Sequence, residues 1–206
     1  MISSDNDIAT SVLILAAGNS ERMGVSKLFL KLPNGITFIE HLVNEYQKFG
    51  CKQIAIVVNQ SNEAEIINSH SHLLNRIEIA INPNPGLGRF RSVKFGLKAI
   101  VNPSNVFIHN IDNPYCDTSI LNVLQENIVG FDYVVPTFKG KGGHPILISY
   151  EVVSKIRKKA KNDCLLNEFL SRFNGNRIEV NSDTILKNIN TPDEYNSFLL
   201  AFELKH

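Results

Sequence analysis

The sequence has no long apolar run and no surplus of one charge, and each absence excludes a class of protein. No stretch approaches the roughly 20 apolar residues that a membrane-spanning helix needs, so we expect no membrane partner. Lysine and arginine total 21 against 20 aspartate and glutamate residues, which leaves a net charge of +1. A nucleic-acid-binding domain usually carries a basic excess. We therefore expect no nucleic-acid partner.

Paired cysteines are also missing. Cys51, Cys116 and Cys164 lie far apart and are odd in number, so neither a disulfide framework nor a zinc knuckle is indicated. The start, "MISSDND", is acidic, whereas a secretory signal has a basic start followed by a longer apolar run than "VLILAA". These features predict a reducing environment and a cytoplasmic location.

Two well-known phosphate-binding motifs are absent as well. The chain contains neither GxxxxGK[ST] nor GxGxxG, which disfavours a P-loop NTPase and a dinucleotide-dependent oxidoreductase. What stands near the start instead is "LILAAGNSERMGVSK", residues 13–27, in which a buried apolar run leads directly into a basic loop punctuated by glycine.

Short apolar runs alternate with helical patterns over the first 128 residues. Crossovers of a dozen or more residues between such runs predict a parallel sheet covered by helices on both faces, a three-layer, Rossmann-like α/β fold. The length of 206 residues suits a single domain. Strands are predicted at 11–17, 53–59, 76–82 and 105–112, and helices at 37–49, 61–74 with Ser61 as N-cap, 89–100 despite Gly96, and 117–128.

The pattern changes after residue 130. "DYVVPTF" and "HPILIS" read as two strands joined by "KGKGG", a hairpin that elaborates the parallel sheet. Helices at about 150–160 and 164–173, a short strand "NRIEV" and a closing helix from Thr191 complete the prediction.

The loop after the first strand is the strongest candidate for a binding site. Sheets of this kind bind ligands at the carboxyl ends of their strands. Glycine-rich backbone exposes N–H groups that bind phosphate, and Arg22 and Lys27 add positive charge. This composition suits a triphosphate better than a carboxylate or a sugar. The alternative is an ordinary surface turn with incidental basic residues.

The loop resembles the LxAGxSxRMGxxK signature of nucleotidyltransferases, above all the molybdenum-cofactor cytidylyltransferase group of the MobA-like NTP transferases. Further segments are similar to that family: "NPNPGLGRFRSVKFGL", "FIHNIDNP", "GKGGHPILIS" and "NINTPDEY". The resemblance covers about residues 11–198. The loop residues that match the signature are Leu15, Ala17, Gly18, Ser20, Arg22, Met23, Gly24 and Lys27.

The resemblance implies the fold of nucleotide-diphospho-sugar transferases and the transfer of a nucleotide from an NTP to a small phosphorylated acceptor, with release of pyrophosphate. It implies Mg²⁺ as cofactor, Arg22 and Lys27 as catalytic residues, Asp112 and Asn190 as metal ligands and His144 as an acceptor contact. Its nucleotide-binding positions are Leu15, Ala16, Ala17, Gly18, Asn19, Ser20, Gly24, Asn82, Gly88 and Ser92.

The sequence departs from the family at two places. Asn188 and Asn190 replace the acidic residues of D-x-D-T-P, so metal binding is expected to be weaker, although an amide oxygen still coordinates Mg²⁺. The segment "KNDCLLNEFLSRF" lacks the G-D-x-G-x-R element that many relatives carry, which leaves the acceptor undefined. The departures keep open a non-catalytic nucleotide-binding regulatory or chaperone-like module.

Several residues keep two interpretations at this stage. Asp112 reads as a metal ligand or as a cap of the next helix, and Asn190 as a ligand or a turn former. His144 reads as an acceptor contact or as a structural residue of the hairpin. The pair Ala16-Ala17 resembles cytidylyl enzymes rather than guanylyl ones, so CTP is the preferred donor. His109 is predicted to be structural, and His70 and His72 have no ligand partner at useful spacing in the sequence. An enzyme that takes up the product is not identified.

Overall fold

Eight strands form one sheet in the part of the chain that the computed structural model describes, residues 10–20, 22–159 and 164–203. The strand order is β3-β2-β1-β4-β7-β5-β6, and β8 pairs with β5. The strands are β1 (Ser11–Ala16), β2 (Ile54–Val58), β3 (Glu78–Ile81), β4 (Asn105–Asn110), β5 (Tyr133–Phe138), β6 (Lys141–Gly142), β7 (Ile146–Ser149) and β8 (Gly175–Glu179).

The first four strands are parallel, as predicted. β1 lies in the middle, where Leu13 is opposite Ala55 of β2 on one side and Ile108 of β4 on the other. β1, β2 and β4 are buried along their whole length, which explains their nearly continuous apolar sequence. The fourth strand ends at Asn110, two residues before the predicted limit.

The predicted hairpin is confirmed, but it belongs to the main sheet. β5 and β7 pair antiparallel, and β7 also pairs antiparallel with β4, with Phe107 opposite Leu147. The two-residue strand β6 adds to β5, and β8 runs parallel to β5. The hairpin therefore extends the main sheet beyond β4, and its strands are part of that sheet.

Helices cover both faces of the sheet in the described residues. The first begins in a capping box, in which Thr37 accepts from the backbone of Glu40 and the Glu40 carboxylate accepts from the backbone of Thr37, and it ends at Gly50 with a φ of 97°. The helices are α1 (Phe38–Phe49), α2 (Gln60–Ser69), α3 (Arg89–Ala99), α4 (Thr118–Glu126), α5 (Tyr150–Lys158), α6 (Leu166–Leu170) and α7 (Pro192–Glu203).

The predicted helix 61–74 is wrong at both ends. Asn59 caps α2, because its side-chain oxygen accepts a hydrogen bond of 2.9 Å from the backbone N–H of Asn62, so Ser61 lies inside the helix. At the other end the α-helix stops at Ser69, and a short 3₁₀ helix follows at 71–73. The predicted helix end at residue 160 and the first part of "KNDCLLNEFLSRF", residues 161–163, lie outside the described residues.

Two apolar clusters fill the space between sheet and helices. Val12 and Ile14 point to the face that α1, α2, α4 and α7 cover, while Leu13 and Leu15 point to α3, α5 and α6. Gly96 allows α3 to pack closely, because a Cβ atom there would lie 2.1 Å from the side chain of Leu13. None of the described helices has both the length and the apolar character needed to cross a membrane.

Candidate active site

A cavity of about 560 Å³ opens at the carboxyl ends of β1 and β4, below the start of α3. Residues 15–20 line it without exception, together with Arg22 and Lys27 from the same loop. Three further predicted residues line the cavity: Ser92 of α3, Asp112 and Asn190. Segments that are far apart in the chain therefore converge where a parallel sheet is expected to bind its ligand.

The loop between β1 and Lys27 is shaped by its own hydrogen bonds. Ser20 has a φ of 53°, its carbonyl oxygen accepts from the N–H of Met23 at 2.9 Å, and its side-chain oxygen accepts from the N–H of Lys27 at 3.3 Å. Gly24 has a φ of 69°, which favours glycine, and it does not line the cavity. Ser20 and Gly24 thus fold the loop back so that Lys27 faces the strand ends.

Gly18 has open space beside it. Apart from its two chain neighbours, a Cβ atom built there would meet no atom within 4 Å, and the residue lines the cavity and is exposed. Packing within the chain therefore does not require glycine at this position. The open space leaves room for a ligand to approach the backbone of the loop closely.

Lys27 is the best-positioned cation of the cavity. Its Nζ donates a hydrogen bond of 2.7 Å to Oδ1 of Asn190 and lies 3.7 Å from Oδ2 of Asp112. The side chain is only 12% exposed. Burial lowers the pKa of Lys27, although the Asp112 carboxylate opposes this effect. The ammonium group therefore sits between the two predicted metal ligands.

Asp112 is a cavity residue and does not cap the next helix. Asp117 caps α4 instead, through its Oδ1 and the N–H of Ser119 at 2.8 Å. Oδ1 of Asp112 is buried and has no hydrogen-bond partner among the described residues. An unpartnered carboxylate oxygen of this kind favours a cation, since a buried polar atom without a partner costs free energy.

Asn190 reaches the cavity because the chain that precedes α7 is tied to the end of β4. The N–H of Ile189 donates to the backbone oxygen of Asp112 at 2.6 Å, and the Asn113 amide donates to the oxygens of Thr184 and Ile185. Asn188, the other departure from the acidic pattern, is exposed and does not line the cavity.

The oxygens of Asp112 and Asn190 form a donor set that suits a hard divalent cation such as Mg²⁺. One is a buried carboxylate oxygen without a hydrogen-bond partner, and the other is an amide oxygen held by a lysine. Mg²⁺ is usually bound by one or two protein oxygens, with water and substrate phosphates completing its shell. The residues present therefore fit the predicted metal.

Asn82 and Gly88 were predicted to bind nucleotide, but neither lines the cavity. Asn82 is fully buried, and its amide donates to the hydroxyl of Ser92 at 2.9 Å while its oxygen accepts from the N–H of Asn84. Gly88, with a φ of 98°, is the residue that precedes α3. Asn82 therefore holds Ser92 and the turn before α3, Gly88 lets the backbone turn into the helix, and a direct contact of either residue with nucleotide stays a prediction.

His144 lies beside the cavity without lining it. It is partly buried, and its backbone N–H donates to the oxygen of Ile185 at 2.9 Å. Burial, together with the nearby Arg89 guanidinium, lowers the pKa of His144 to about 4, so the imidazole is neutral at physiological pH. Its contact with an acceptor remains a prediction.

Seven residues that line the cavity are missing from the sequence-based prediction: Ser26, Leu28, Pro85, Gly86, Arg89, Asn110 and Ile111. Arg89 lines the cavity at the first position of α3 and is exposed. Asn110 ends β4, and its side-chain nitrogen is buried without a hydrogen-bond partner in the described part of the chain. The signal for Arg89 was its position directly after a glycine-rich turn, and that for Asn110 its position at a strand end.

Three histidines outside the cavity, His109, His70 and His72, have identifiable partners in the fold. His109 is fully buried between the hydroxyl of Tyr46 at 2.6 Å and the backbone oxygen of Asn113 at 2.7 Å, which confirms its structural role. The expectation that His70 and His72 lack a ligand partner is wrong. Glu40 lies beside both of them, because the turn after α2 packs against the start of α1.

A mostly parallel sheet whose strand ends surround a cavity with a basic loop and the carboxylate of an aspartate is the architecture of an α/β nucleotidyltransferase. Residues 12–175 match the MobA-like NTP transferase domain, and the chain belongs to that family. The match runs from β1 to the first residue of β8 and so includes the loop, α3 and Asp112, while Asn190 lies beyond it.

Relatives with high coverage support this assignment. A probable molybdenum cofactor guanylyltransferase of Carboxydothermus hydrogenoformans is 29% identical over 204 residues, which covers 95% of this chain and 98% of the relative. The molybdenum cofactor cytidylyltransferase of Escherichia coli is 26% identical over 189 residues, or 91% and 94% of the two chains. A Mycobacterium tuberculosis protein solved in complex with manganese shares the fold, with a TM-score of 0.74, 15% identity and coverage of 94% and 99%.

Proposed function

We propose that the protein transfers a nucleoside monophosphate from an NTP, with CTP preferred, to a small phosphorylated acceptor. The observation that carries this proposal is the convergence of Lys27, Asp112 and Asn190 at the edge of the cavity that the glycine-containing loop lines. A cation and two oxygen ligands at one point suit a triphosphate with its metal ion.

The proposed reaction is an in-line displacement. A phosphate oxygen of the acceptor attacks the α-phosphorus of the NTP, a new P–O bond forms, and the bond between the α-phosphorus and the bridging oxygen breaks. The electron pair leaves with pyrophosphate. Because the attacking phosphate is already an anion, no side chain has to serve as nucleophile or strong base, and charge neutralisation is the main task.

The residues of the loop fit that task. Lys27 and Arg22 line the cavity and neutralise the triphosphate and the charge that develops on the leaving pyrophosphate. Backbone N–H groups around Gly18 are proposed to hold phosphate oxygens, since the space beside this glycine is open. Arg22 is exposed, so it can move onto the ligand as it binds.

Asp112 and Asn190 would hold Mg²⁺. When bound, the ion supplies additional neutralisation of the phosphate charge. The manganese complex of the structural neighbour supports a divalent ion in this fold. The chain itself contributes two oxygens, so its affinity for the ion is expected to depend on the nucleotide phosphates.

The donor and the acceptor are the finer parts of the proposal. The sequence Ala16-Ala17-Gly18 supports CTP, and of the two relatives one is named a guanylyltransferase and the other a cytidylyltransferase, so GTP is the competing donor. Both names support a molybdopterin-type acceptor, with His144 proposed as an acceptor contact. Three free cysteines agree with a reducing, cytoplasmic setting.

A non-catalytic nucleotide-binding module is the second candidate. The observation in its favour is the Lys27–Asn190 hydrogen bond, because the ammonium already satisfies an oxygen that a catalytic metal needs. Such a module would bind an NTP and release no pyrophosphate.

A matrix of donors and acceptors with pyrophosphate release as readout tests the proposal. CTP, GTP, ATP and UTP are each combined with molybdopterin or a sugar phosphate, with Mg²⁺ or Mn²⁺ present. We expect release that requires an acceptor and is fastest with CTP. Fastest release with GTP would overturn only the donor assignment, whereas NTP binding without release from any pair would identify the module.

A further inference from the structure

Glu40, His70 and His72 form a cluster outside the nucleotide cavity. Glu40 lies in the first turn of α1, His70 directly follows α2, and His72 lies in the short helix at 71–73. One ligand atom of each residue lies within 4.8 Å of the other two. None of the three lines the cavity, so the cluster is distinct from the Asp112 site.

The Glu40 carboxylate is oriented by the helix cap. Its Oε2 accepts hydrogen bonds from the backbone N–H of Thr37 at 2.7 Å and from the Thr37 hydroxyl at 2.6 Å. This leaves Oε1 to face the imidazoles, 2.9 Å from Nε2 of His72 and 4.0 Å from Nδ1 of His70. Although burial opposes ionisation, the bonds from Thr37 and His72 hold the pKa of Glu40 below its ordinary value.

His70 is held in place and carries an unused nitrogen. Its ring stacks on Phe29 with centroids 4.9 Å apart and planes 11° from parallel. Its Nδ1 is buried and has no hydrogen-bond partner among the described residues, since 4.0 Å to Glu40 is too long for a hydrogen bond. A hydrogen bond between Glu40 and His72 accounts for only part of the cluster and leaves this nitrogen unexplained.

We propose that Glu40, His70 and His72 bind a divalent transition-metal ion of the zinc type. Zinc takes imidazole nitrogens and carboxylate oxygens at about 2.0–2.1 Å, which places tetrahedral ligands about 3.4 Å apart. The separations of Glu40 Oε1 from the nitrogens of His72 and His70, 2.9 and 4.0 Å, lie on either side of that value. His72 is 55% exposed, so the fourth position opens to water.

The proposed ion is chemically distinct from the one at the cavity. Two imidazole nitrogens select zinc, cobalt or nickel, whereas Mg²⁺ prefers oxygen ligands. The ion would also join α1 to the turn after α2. Phe29, which rests on His70, lies two residues after Lys27, so the ion braces the base of the loop that carries this lysine.

Metal titration of the whole, tag-free, chelator-treated protein tests the site. The Asp112→Asn background removes the oxygen site, and binding is followed by competition with a chromophoric zinc chelator and by the visible spectrum of Co²⁺. Three proteins are compared: the Asp112→Asn protein itself, and the same protein carrying either His72→Ala or His41→Gln. His41 is the matched control because it neighbours Glu40 but packs against Phe202.

We expect the Asp112→Asn protein and its His41→Gln variant to bind a single equivalent of Zn²⁺, with tetrahedral-type Co²⁺ bands that excess Mg²⁺ does not displace. His72→Ala should weaken binding by about 100-fold or more, since even changes outside a ligand set cost about 10- to 100-fold. Because the His72 side chain is largely exposed, we expect this variant to keep its fold. Failure of the background protein to bind Zn²⁺, or equal affinities of the two histidine variants, would overturn the proposal.

Discussion

Lys27 and Asn190 lie 163 positions apart in the chain, yet the lysine ammonium donates a hydrogen bond of 2.7 Å to the asparagine side chain. The bond joins the loop after the first strand to the segment before the last helix. It also places a fixed positive charge next to the Asp112 carboxylate. The first predictions concern these three residues.

Lys27→Ala should weaken triphosphate binding and slow transfer by about 100-fold or more, as expected for the loss of a preorganised charge at the leaving group. Nucleotide titration and pyrophosphate release measure the two effects. Lys31→Ala is the matched control, because Lys31 is exposed and does not line the cavity. Equal behaviour of the two variants would remove Lys27 from the phosphate site.

Asp112→Asn should abolish metal-dependent transfer while the fold stays intact. The carboxylate is 22% exposed and its Oδ1 has no partner in the described structure, so we expect the free energy of unfolding to change by less than about 1 kcal/mol. Urea denaturation and a Mg²⁺ titration of turnover measure this. Asp183→Asn, at an exposed ion pair with Lys187, is the control. Unchanged Mg²⁺ dependence would contradict the assignment of Asp112.

Asn190→Asp should lower the Mg²⁺ concentration needed for nucleotide binding or turnover, because hard cations bind carboxylate oxygen better than amide oxygen. Asn190→Ala should raise that concentration. Exposed Asn188 provides the control, through Asn188→Asp. If the wild-type protein, Asn190→Asp and Asn190→Ala all have the same midpoint in the Mg²⁺ titration, this residue has only a structural role.

Gly18→Ala and Gly96→Ala should affect different properties. A methyl group at Gly18 meets no protein atom, so stability should hold while nucleotide binding weakens. At Gly96 it would collide with Leu13 and Val57, which predicts a loss of about 1–3 kcal/mol in the free energy of unfolding with little direct effect on the cavity. Thermal denaturation and nucleotide titration of both variants separate the two effects. Equal nucleotide affinity of Gly18→Ala and wild type would contradict the proposed phosphate contact.

His109 should make the fold sensitive to acid. Burial lowers its pKa to about 3, against about 6.5 in an unfolded chain. Between these values only the unfolded chain takes up the proton, so the free energy of unfolding falls as pH falls, by at most about 1.4 kcal/mol per pH unit. Stability is therefore retained above this window and lost within it.

Urea denaturation across that pH range measures the effect. His109→Gln should reduce the pH slope without removing it, because the pKa of His144 is also lowered, to about 4. If the free energy of unfolding of the His109→Gln protein depends on pH as steeply as that of the wild-type protein, the result would contradict this account.

Local pattern was sufficient for the parallel half of the fold. Buried parallel strands are continuous apolar runs, and three of the four predicted parallel strands, β1, β2 and β4, are runs of this kind that lie close to the predicted bounds. The start of α2 was mispredicted because Asn59 and Ser61 both suit an N-cap, and only the hydrogen bond to Asn62 distinguishes them. The role of Asp112 was likewise open until Asp117 was seen to cap α4.

The sequence by itself determined the three-layer class, the loop from Gly18 to Lys27 and the family that its residues resemble, because these depend on short-range spacing and on residue chemistry. Tertiary structure alone decided that β7 lies between β4 and β5, that Asn190 meets Lys27, and that Glu40 stands beside His70 and His72. Each of these depends on a contact between distant segments. Such contacts are set by how helices and strands pack, and no local pattern encodes them.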